Sequence, residues 1–209
     1  MPKMLKEGRP LRQSEHINRR VTQSVFRAFD YALEIGSPLN LYVVINLHET
    51  MKVSAAAIFE AIRHKYRDWL NYRTKKRSLG IVPPMYIYAM ENPSGAHPHV
   101  NWALHVPDDL RAEFEAKLPR WIEKAQGKCG PSDCVVQGVR EDTHKQLAKY
   151  IVKGTDPGFV DHFYLQKVYA PQGQVWGKRA GVSPSLGATV RKVVNFRPRR
   201  SPSQWRNAA

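Results

Sequence analysis

The sequence predicts an α+β domain built on one antiparallel sheet, with helices packed on one face. Three observations predict it. Short β-branched, apolar runs read as strands, and longer stretches between them carry helical periodicity. From residue 39 to 140 these segments come in the order βαββαβ. A hydrophobic share of 42% over 209 residues is enough for one compact core plus extensions.

Residues 14–35 open with Ser14 as a candidate N-cap, set Ile17, Val21, Val25, Phe29 and Leu33 on one face, and stop at Gly36. LNLYVVINL (39–47), after Ser37-Pro38, reads as a buried strand. Residues 53–73 form a second amphipathic helix with Ile58, Ile62, Tyr66, Trp69 and Leu70 inward, running into a basic stretch from Arg73 to Arg77. Pro83-Pro84 restart the chain into MYIYAME (85–91), and Asn92-Pro93-Ser94-Gly95 turns it back into a strand over 98–106. A helix from Asp108 to Ala125 buries Leu110, Phe114, Leu118 and Trp121. CVVQGVR (134–140) is the fourth strand and EDTHKQLAKYIVKG (141–154) the last helix. Without the first helix, this is the ferredoxin-like split-βαβ arrangement, which hosts many functions. The expected division is a basic N-terminal segment and helix (1–36), a central domain (37–170) that carries the βαββαβ core, and a basic, partly flexible C-terminal extension (171–209).

Charge restricts the partners. Lys and Arg total 33 against 18 Asp and Glu, a net +15, and the pI is near 10.0. Such an excess favours a polyanion, either nucleic acid or an acidic membrane surface. No apolar run is long enough to span a bilayer and the N-terminus has no apolar leader core, so a cytoplasmic protein without membrane attachment is expected. Cys129 and Cys134 lack a second pair to complete a zinc site and read as free thiols near a turn.

The chemistry-bearing pattern begins at His97-Pro98-His99. Side chains alternate along a strand, so His97 and His99 share a face about 7 Å apart. Glu91, ending the preceding strand, lies beside them across the turn, and a carboxylate with two imidazoles makes a three-ligand metal site with open positions. That donor set suits Mg²⁺ or Mn²⁺, and the imidazoles would also accept Zn²⁺. The plainer reading is two surface histidines at a strand entrance. Further on, Tyr150 shares a helical face with Gln146 and Lys153. A tyrosine hydroxyl is a weak nucleophile until cations or a metal-polarised electrophile assist it; otherwise Tyr150 is an ordinary helix aromatic.

On these residues the chain resembles the HUH endonucleases, in particular the rolling-circle replication initiators of plasmids and single-stranded DNA phages. LYVVINL (41–47) matches that family's first apolar strand, His97-Pro98-His99-Val100-Asn101-Trp102 its histidine strand, and Tyr150-Ile151-Val152-Lys153 its Tyr-x-x-Lys helix. The resemblance covers residues 39–156. It implies a divalent-metal-dependent nickase. His97, His99 and Glu91 would hold the metal, Tyr150 would attack the scissile phosphate to give a 5′-phosphotyrosine and a free 3′-OH, and Lys153 would help place metal or phosphate. Gln146 departs from the glutamate often found one turn before the tyrosine, and an amide is no base at neutral pH. The partners implied are single-stranded or hairpin origin DNA, a host helicase and a polymerase.

Arg73, Lys75, Lys76, Arg77, Lys149, Lys178 and Arg179 are candidate DNA contacts, which would make binding strongly salt-dependent. Trp176 and Trp205 are candidates for base stacking. A relaxase or single-tyrosine transposase would run the same chemistry. A non-catalytic single-stranded nucleic-acid-binding module would instead expose aromatics on its sheet, for which Tyr86 and Tyr88 are the candidates.

Overall fold

The computed structural model describes residues 12–51, 53–76 and 82–198. In chain order its elements are β1 (Gln13–Ser14), α1 (Arg19–Glu34), β2 (Leu41–Asn46), α2 (Ala55–Lys76), β3 (Tyr86–Glu91) and β4 (His99–Leu104), followed by α3 (Asp108–Gln126) and β5 (Cys134–Gly138). Then come α4 (His144–Ile151), β6 (Val175–Trp176), β7 (Ala180–Val182) and α5 (Ala188–Val193). The protein is α+β, with a five-stranded sheet of order β5-β2-β4-β3-β7 in which every pair is antiparallel.

Strand alternation sorts the sheet into two faces. Leu41, Val43 and Ile45 of β2, Tyr86, Tyr88 and Met90 of β3, and Val100, Trp102 and Leu104 of β4 pack into one core with Ile58, Phe59, Ile62 and Tyr66 of α2 and Phe114, Leu118 and Ile122 of α3. Ile87, Ala89 and Ala103 point the other way, into a second core with Phe29 and Ala32 of α1 and Ala148 and Ile151 of α4. Helices therefore cover both faces, not one. The N-terminal helix is what changes the count: its Val25, Ala28 and Phe29 are buried, so it is a layer of the fold.

Two elements begin later than their patterns suggest. The side chain of Asn18, not Ser14, caps α1, accepting from Val21 N–H at 3.0 Å. Ser14 instead pairs in β1 with Val175 of β6. The last helix is shorter at both ends: residues 141–143 are a 3₁₀ turn and α4 stops at Ile151, leaving Lys153 beyond the C-cap residue Val152.

The C-terminal region contributes to the sheet. Ala180–Val182 form its edge strand on β3, Leu186 is fully buried, and Phe196 lies against Tyr31 with ring centroids 5.0 Å apart. The expected boundaries at 36/37 and 170/171 thus separate segments that pair with one another. Gly173 is needed here for close approach: at φ +63° it lies so near the Asn92 carbonyl that a Cβ would fall 1.9 Å from that oxygen. Among the described residues no helix is long and apolar enough to cross a membrane.

Candidate functional site

The second face of the sheet is only half covered. Over β3 and the near end of β4 it lies under α1 and α4, but over β2 and β5 it is open: Val135 is 45% exposed, Asn46 is exposed, and Tyr42 and Val44 are half-buried. At the border of covered and open sheet stands a row of polar side chains: Tyr42, Asn101, His99 and Glu91.

The strand register builds that row. Glu91 pairs directly with His99 across β3 and β4, and His99 with Asn46 across β4 and β2. His99 Nε2 lies 2.9 Å from Glu91 Oε2. The Lys153 ammonium reaches the same oxygen at 2.8 Å, and both partners of this ion pair are almost sealed from solvent. Burial by itself would raise the Glu91 pKa. The hydrogen bonds and charge of His99 and Lys153 outweigh it, so the carboxyl is held below the ordinary glutamate value. Glu91 Oε1 is buried and without a hydrogen-bond partner.

Lys153 also links this pair to the tyrosine. Its Nζ sits 3.6 Å from the centroid of the Tyr150 ring, a close cation–π contact. Tyr150, in the last turn of α4, is 43% exposed. The loop that carries Lys153 is fixed from outside the helix: Ile17 N–H donates to the Gly154 carbonyl (2.8 Å), Asp156 N–H to the Ile17 carbonyl (3.0 Å), and the Thr22 and Thr155 hydroxyls meet at 2.9 Å. The segment leading into α1 therefore positions the lysine, a contact between residues about 135 apart in sequence that no local pattern announces.

The other sequence candidates distribute unevenly. His97 lies two residues before β4 and is exposed. Among the described residues no group of three or more His, Cys, Asp or Glu side chains is close enough to hold a metal ion, so Glu91 and His99 meet while His97 stands apart. Gln146, with its amide nitrogen turned inward, donates to the Asp142 and Thr143 carbonyls at 3.2 Å each, completing the start of α4. Lys149 is buried beside the site. Burial first, then Lys167 and Lys145, lower its pKa.

Of the DNA-contact candidates, Lys75, Lys76 and Lys178 are exposed. Arg73 is tied to Glu113, with Nη2 2.6 Å and Nε 2.8 Å from Oε1. Arg179 is buried and donates to the carbonyls of Met90, Gln172, Ser14 and Gly173, so its guanidinium holds the protein together at the β3 edge and is not offered to a ligand. The surrounding segment 177–187 is likewise largely structural, since it contains β7, buried Ser183 and buried Leu186. Trp176 is half-buried in β6. Arg77 and Trp205 lie outside the described residues. Tyr86 and Tyr88 are buried against α2, with the Tyr88 and Phe59 rings 5.0 Å apart, and present no stacking surface.

Sequence reasoning passed over Tyr42 and Asn101. The Tyr42 hydroxyl donates to Asn101 Oδ1, and its ring meets the Tyr150 ring edge-on at 6.2 Å. The available signal was parity: with β2, β3 and β4 as neighbours, residues 42, 91, 99 and 101 fall on the face opposite the apolar core. A scan against protein-family models found no match to this chain, and a search of curated proteins found none either.

Proposed function

We propose that this protein is a metal-dependent, tyrosine-mediated single-stranded DNA nicking and joining enzyme that initiates rolling-circle replication. The observation that carries the reading is the convergence of Tyr150, Lys153, Glu91 and His99, drawn from three separated segments, at the border of an open sheet face. The order β5-β2-β4-β3 supports it as well, since we read it as a ferredoxin-like split-βαβ core with β7 added at one edge.

The donor set fits a hard divalent cation. Glu91 Oε1 is a buried, orphaned carboxylate oxygen, and His99 is its neighbour. Glu91 and His99 are the residues that would hold Mg²⁺ or Mn²⁺, and His97, which stands apart from them in this structure, would have to swing in to serve as a third donor. Such an ion supplies Lewis-acid polarisation of the scissile phosphate. The remaining chemistry belongs to the chain. Tyr150 Oη forms a bond to phosphorus, the bond from phosphorus to the 3′-oxygen breaks, the phenolic proton leaves to solvent, and the departing oxygen takes up a proton to become the 3′-OH. Lys153, under the Tyr150 ring and on Glu91, holds nucleophile and carboxylate in register. Joining is the same step reversed. A relaxase or transposase would use identical chemistry on a different DNA.

The test is a covalent adduct. Labelled single strands from the candidate origin are incubated with Mn²⁺ and wild-type protein, Tyr150→Phe, or His97→Ala/His99→Ala, and resolved on denaturing gels. An adduct that requires metal and disappears in both variants is expected. Metal-indifferent binding with no adduct on any origin strand would instead favour a non-catalytic nucleic-acid-binding module.

A further inference from the structure

We infer a second binding site, for a single nucleotide, in a cavity beside the start of β3: Arg63, His64 and Arg67 receive the phosphate, and Pro83, Pro84 and Pro184 take the attached sugar and base. The site stands apart from Tyr150 and does not rest on the nickase reading.

The cavity, of about 240 Å³, lies where α2, the entry to β3 and the 3₁₀ turn Pro184–Leu186 after β7 come together. Tyr86 opens β3 and faces α2, whereas Glu91 ends the same strand and faces the other way. The two sites are thus roughly 17 Å apart along the strand and on opposite sides of the sheet.

Serines join the proline-bearing walls. The Ser185 hydroxyl donates to the Pro84 carbonyl, the Ser183 and Ser185 hydroxyls meet at 2.9 Å, and Tyr86 N–H donates to Ser183 Oγ at 3.2 Å. The segments before β3 and after β7 are therefore held together before any ligand arrives. Proline has no N–H, so these walls present flat apolar rings, and Pro83 and Pro184 are exposed.

The cationic side comes from one ridge of α2, where residues 60, 63, 64 and 67 are neighbours at helical spacing. The Arg63 guanidinium lies 5.1, 5.2 and 5.8 Å from the ring centroids of Tyr88, Phe59 and Tyr86, and its Nη1 donates to the Tyr86 hydroxyl at 3.2 Å. These contacts orient the cation without neutralising it. Among the described residues no carboxylate pairs with Arg63, and its buried Nε has no hydrogen-bond partner. Arg179 is the contrast, since its guanidinium donates to four carbonyls. His64 and Arg67, both exposed, extend the positive rim; Glu60 lies 3.9 Å from His64 and Asp68 3.0 Å from Arg67. Exposed pairs of this kind are weak, so a phosphate can displace them.

The two halves of the cavity select the ligand. A guanidinium fork suits phosphate oxygens and its plane suits a base. Inorganic phosphate would leave the prolines unused, and an apolar molecule would leave Arg63 uncompensated. A nucleotide satisfies both, and the net charge of +15 favours a polyanion. The volume is below that of ordinary drug-sized sites and admits one nucleotide. A free nucleotide and an unpaired nucleotide within a strand bring the same chemistry.

Calorimetric titration at physiological salt, without metal, tests the site with dAMP, deoxyadenosine, inorganic phosphate and a short oligo(dA). We expect dAMP to bind one per chain, more tightly than deoxyadenosine or phosphate. Arg63→Gln should weaken dAMP about tenfold, the effect of one charge-assisted hydrogen bond. Because Arg63 is packed on three rings, Arg67→Glu on the exposed rim provides a second variant and should weaken dAMP as much or more. Lys65→Glu makes the same charge change on α2 away from the cavity and should leave dAMP binding as it was. No dAMP binding, unchanged affinity in Arg67→Glu, an equal loss in Lys65→Glu, or phosphate binding as tightly as dAMP would each overturn the inference. If oligo(dA) also weakens in Arg63→Gln, the nucleotide belongs to a strand; if dAMP alone weakens, it is free. None of these readouts involves an adduct, so failure of nicking leaves the site standing.

Discussion

The two faces of the sheet are made by the same strands and differ in kind. Toward α2 and α3, Val43, Tyr88 and Trp102 are sealed, and Trp102 meets the rings of Phe59, Tyr66, Tyr86 and Phe114 at centroid distances of 5.3 to 6.2 Å. At positions of the opposite parity on the same strands, Tyr42, Glu91 and Asn101 point the other way into a polar row beside Tyr150. The first face can be rigid because its aromatic edges interlock and its core is overwhelmingly apolar. The second can then hold a desolvated Glu91–Lys153 pair, since its strands are already fixed from behind. The difference teaches that stability and chemistry are assigned by residue parity, and each assignment can be broken separately.

The largest expected effect is on the apolar face. Trp102→Ala removes the residue at the centre of the aromatic cluster, and a buried Trp or Phe cut to alanine costs about 3–5 kcal/mol. Urea or guanidinium unfolding should show a large drop in midpoint with little change in slope. A small drop would mean that the face repacks and is less rigid than its interlocked rings imply.

On the polar face, Glu91→Gln leaves Lys153 and His99 without their carboxylate. Breaking a buried ion pair by removing one partner costs about 3–5 kcal/mol, and the lower end is expected here because His99 retains some solvent access. Adding Lys153→Met removes the stranded charge and should recover part of the loss in the same unfolding assay. If the double variant is no more stable than Glu91→Gln, the cost lies in the strand pairing and not in the charge.

A smaller effect is expected from acid. His144, at the start of α4, is buried against Phe29, and burial lowers its pKa below the ordinary value of 6.5 despite the backbone at Leu39 and the charges of Glu141 and Asp142. Above that value the histidine is neutral in both folded and unfolded chains and has no effect. As the pH falls through it, the unfolded chain takes up a proton that the folded protein resists, so stability declines. Thermal unfolding between pH 7.5 and 5 should therefore show a decline that His144→Phe reduces, and an equal decline in both proteins would assign it to other groups.

How much of this was legible in the sequence depended on how local the determining contacts are. The strands YIYAME and HVNWAL and the helix beginning AAAIFEAI follow from their own periodicity, and they appear within a few residues of the expected places. Ala180–Val182 is three residues long with a glycine at its centre, too short to carry a period, and it is a strand only because β3 offers an edge. Arg179 read as a DNA contact because its neighbours are basic, yet its role is fixed by carbonyls from residues 14, 90, 172 and 173. At the site, Glu91 and His99 were legible from hairpin geometry. The placing of Lys153 under Tyr150 was expected from helical spacing but arises past the helix end, through a loop that the residues around Ile17 hold.

The smallest expected effect on stability is the one with the largest expected effect on activity. Tyr150 presents its hydroxyl at the border of the open face, 43% exposed, and its ring contacts to Lys153 and Tyr42 survive in Tyr150→Phe. Removing one oxygen from such a position should change unfolding free energy by less than about 0.5 kcal/mol. Tyr88, buried on the opposite face with its hydroxyl pushed up to a pKa of about 12 chiefly by burial, is the natural control, because Tyr88→Phe also deletes only an oxygen. Both variants should fold, and adduct formation should vanish for Tyr150→Phe while surviving for Tyr88→Phe. Loss in both would mean that the faces are coupled, and retention in both would remove Tyr150 from the chemistry.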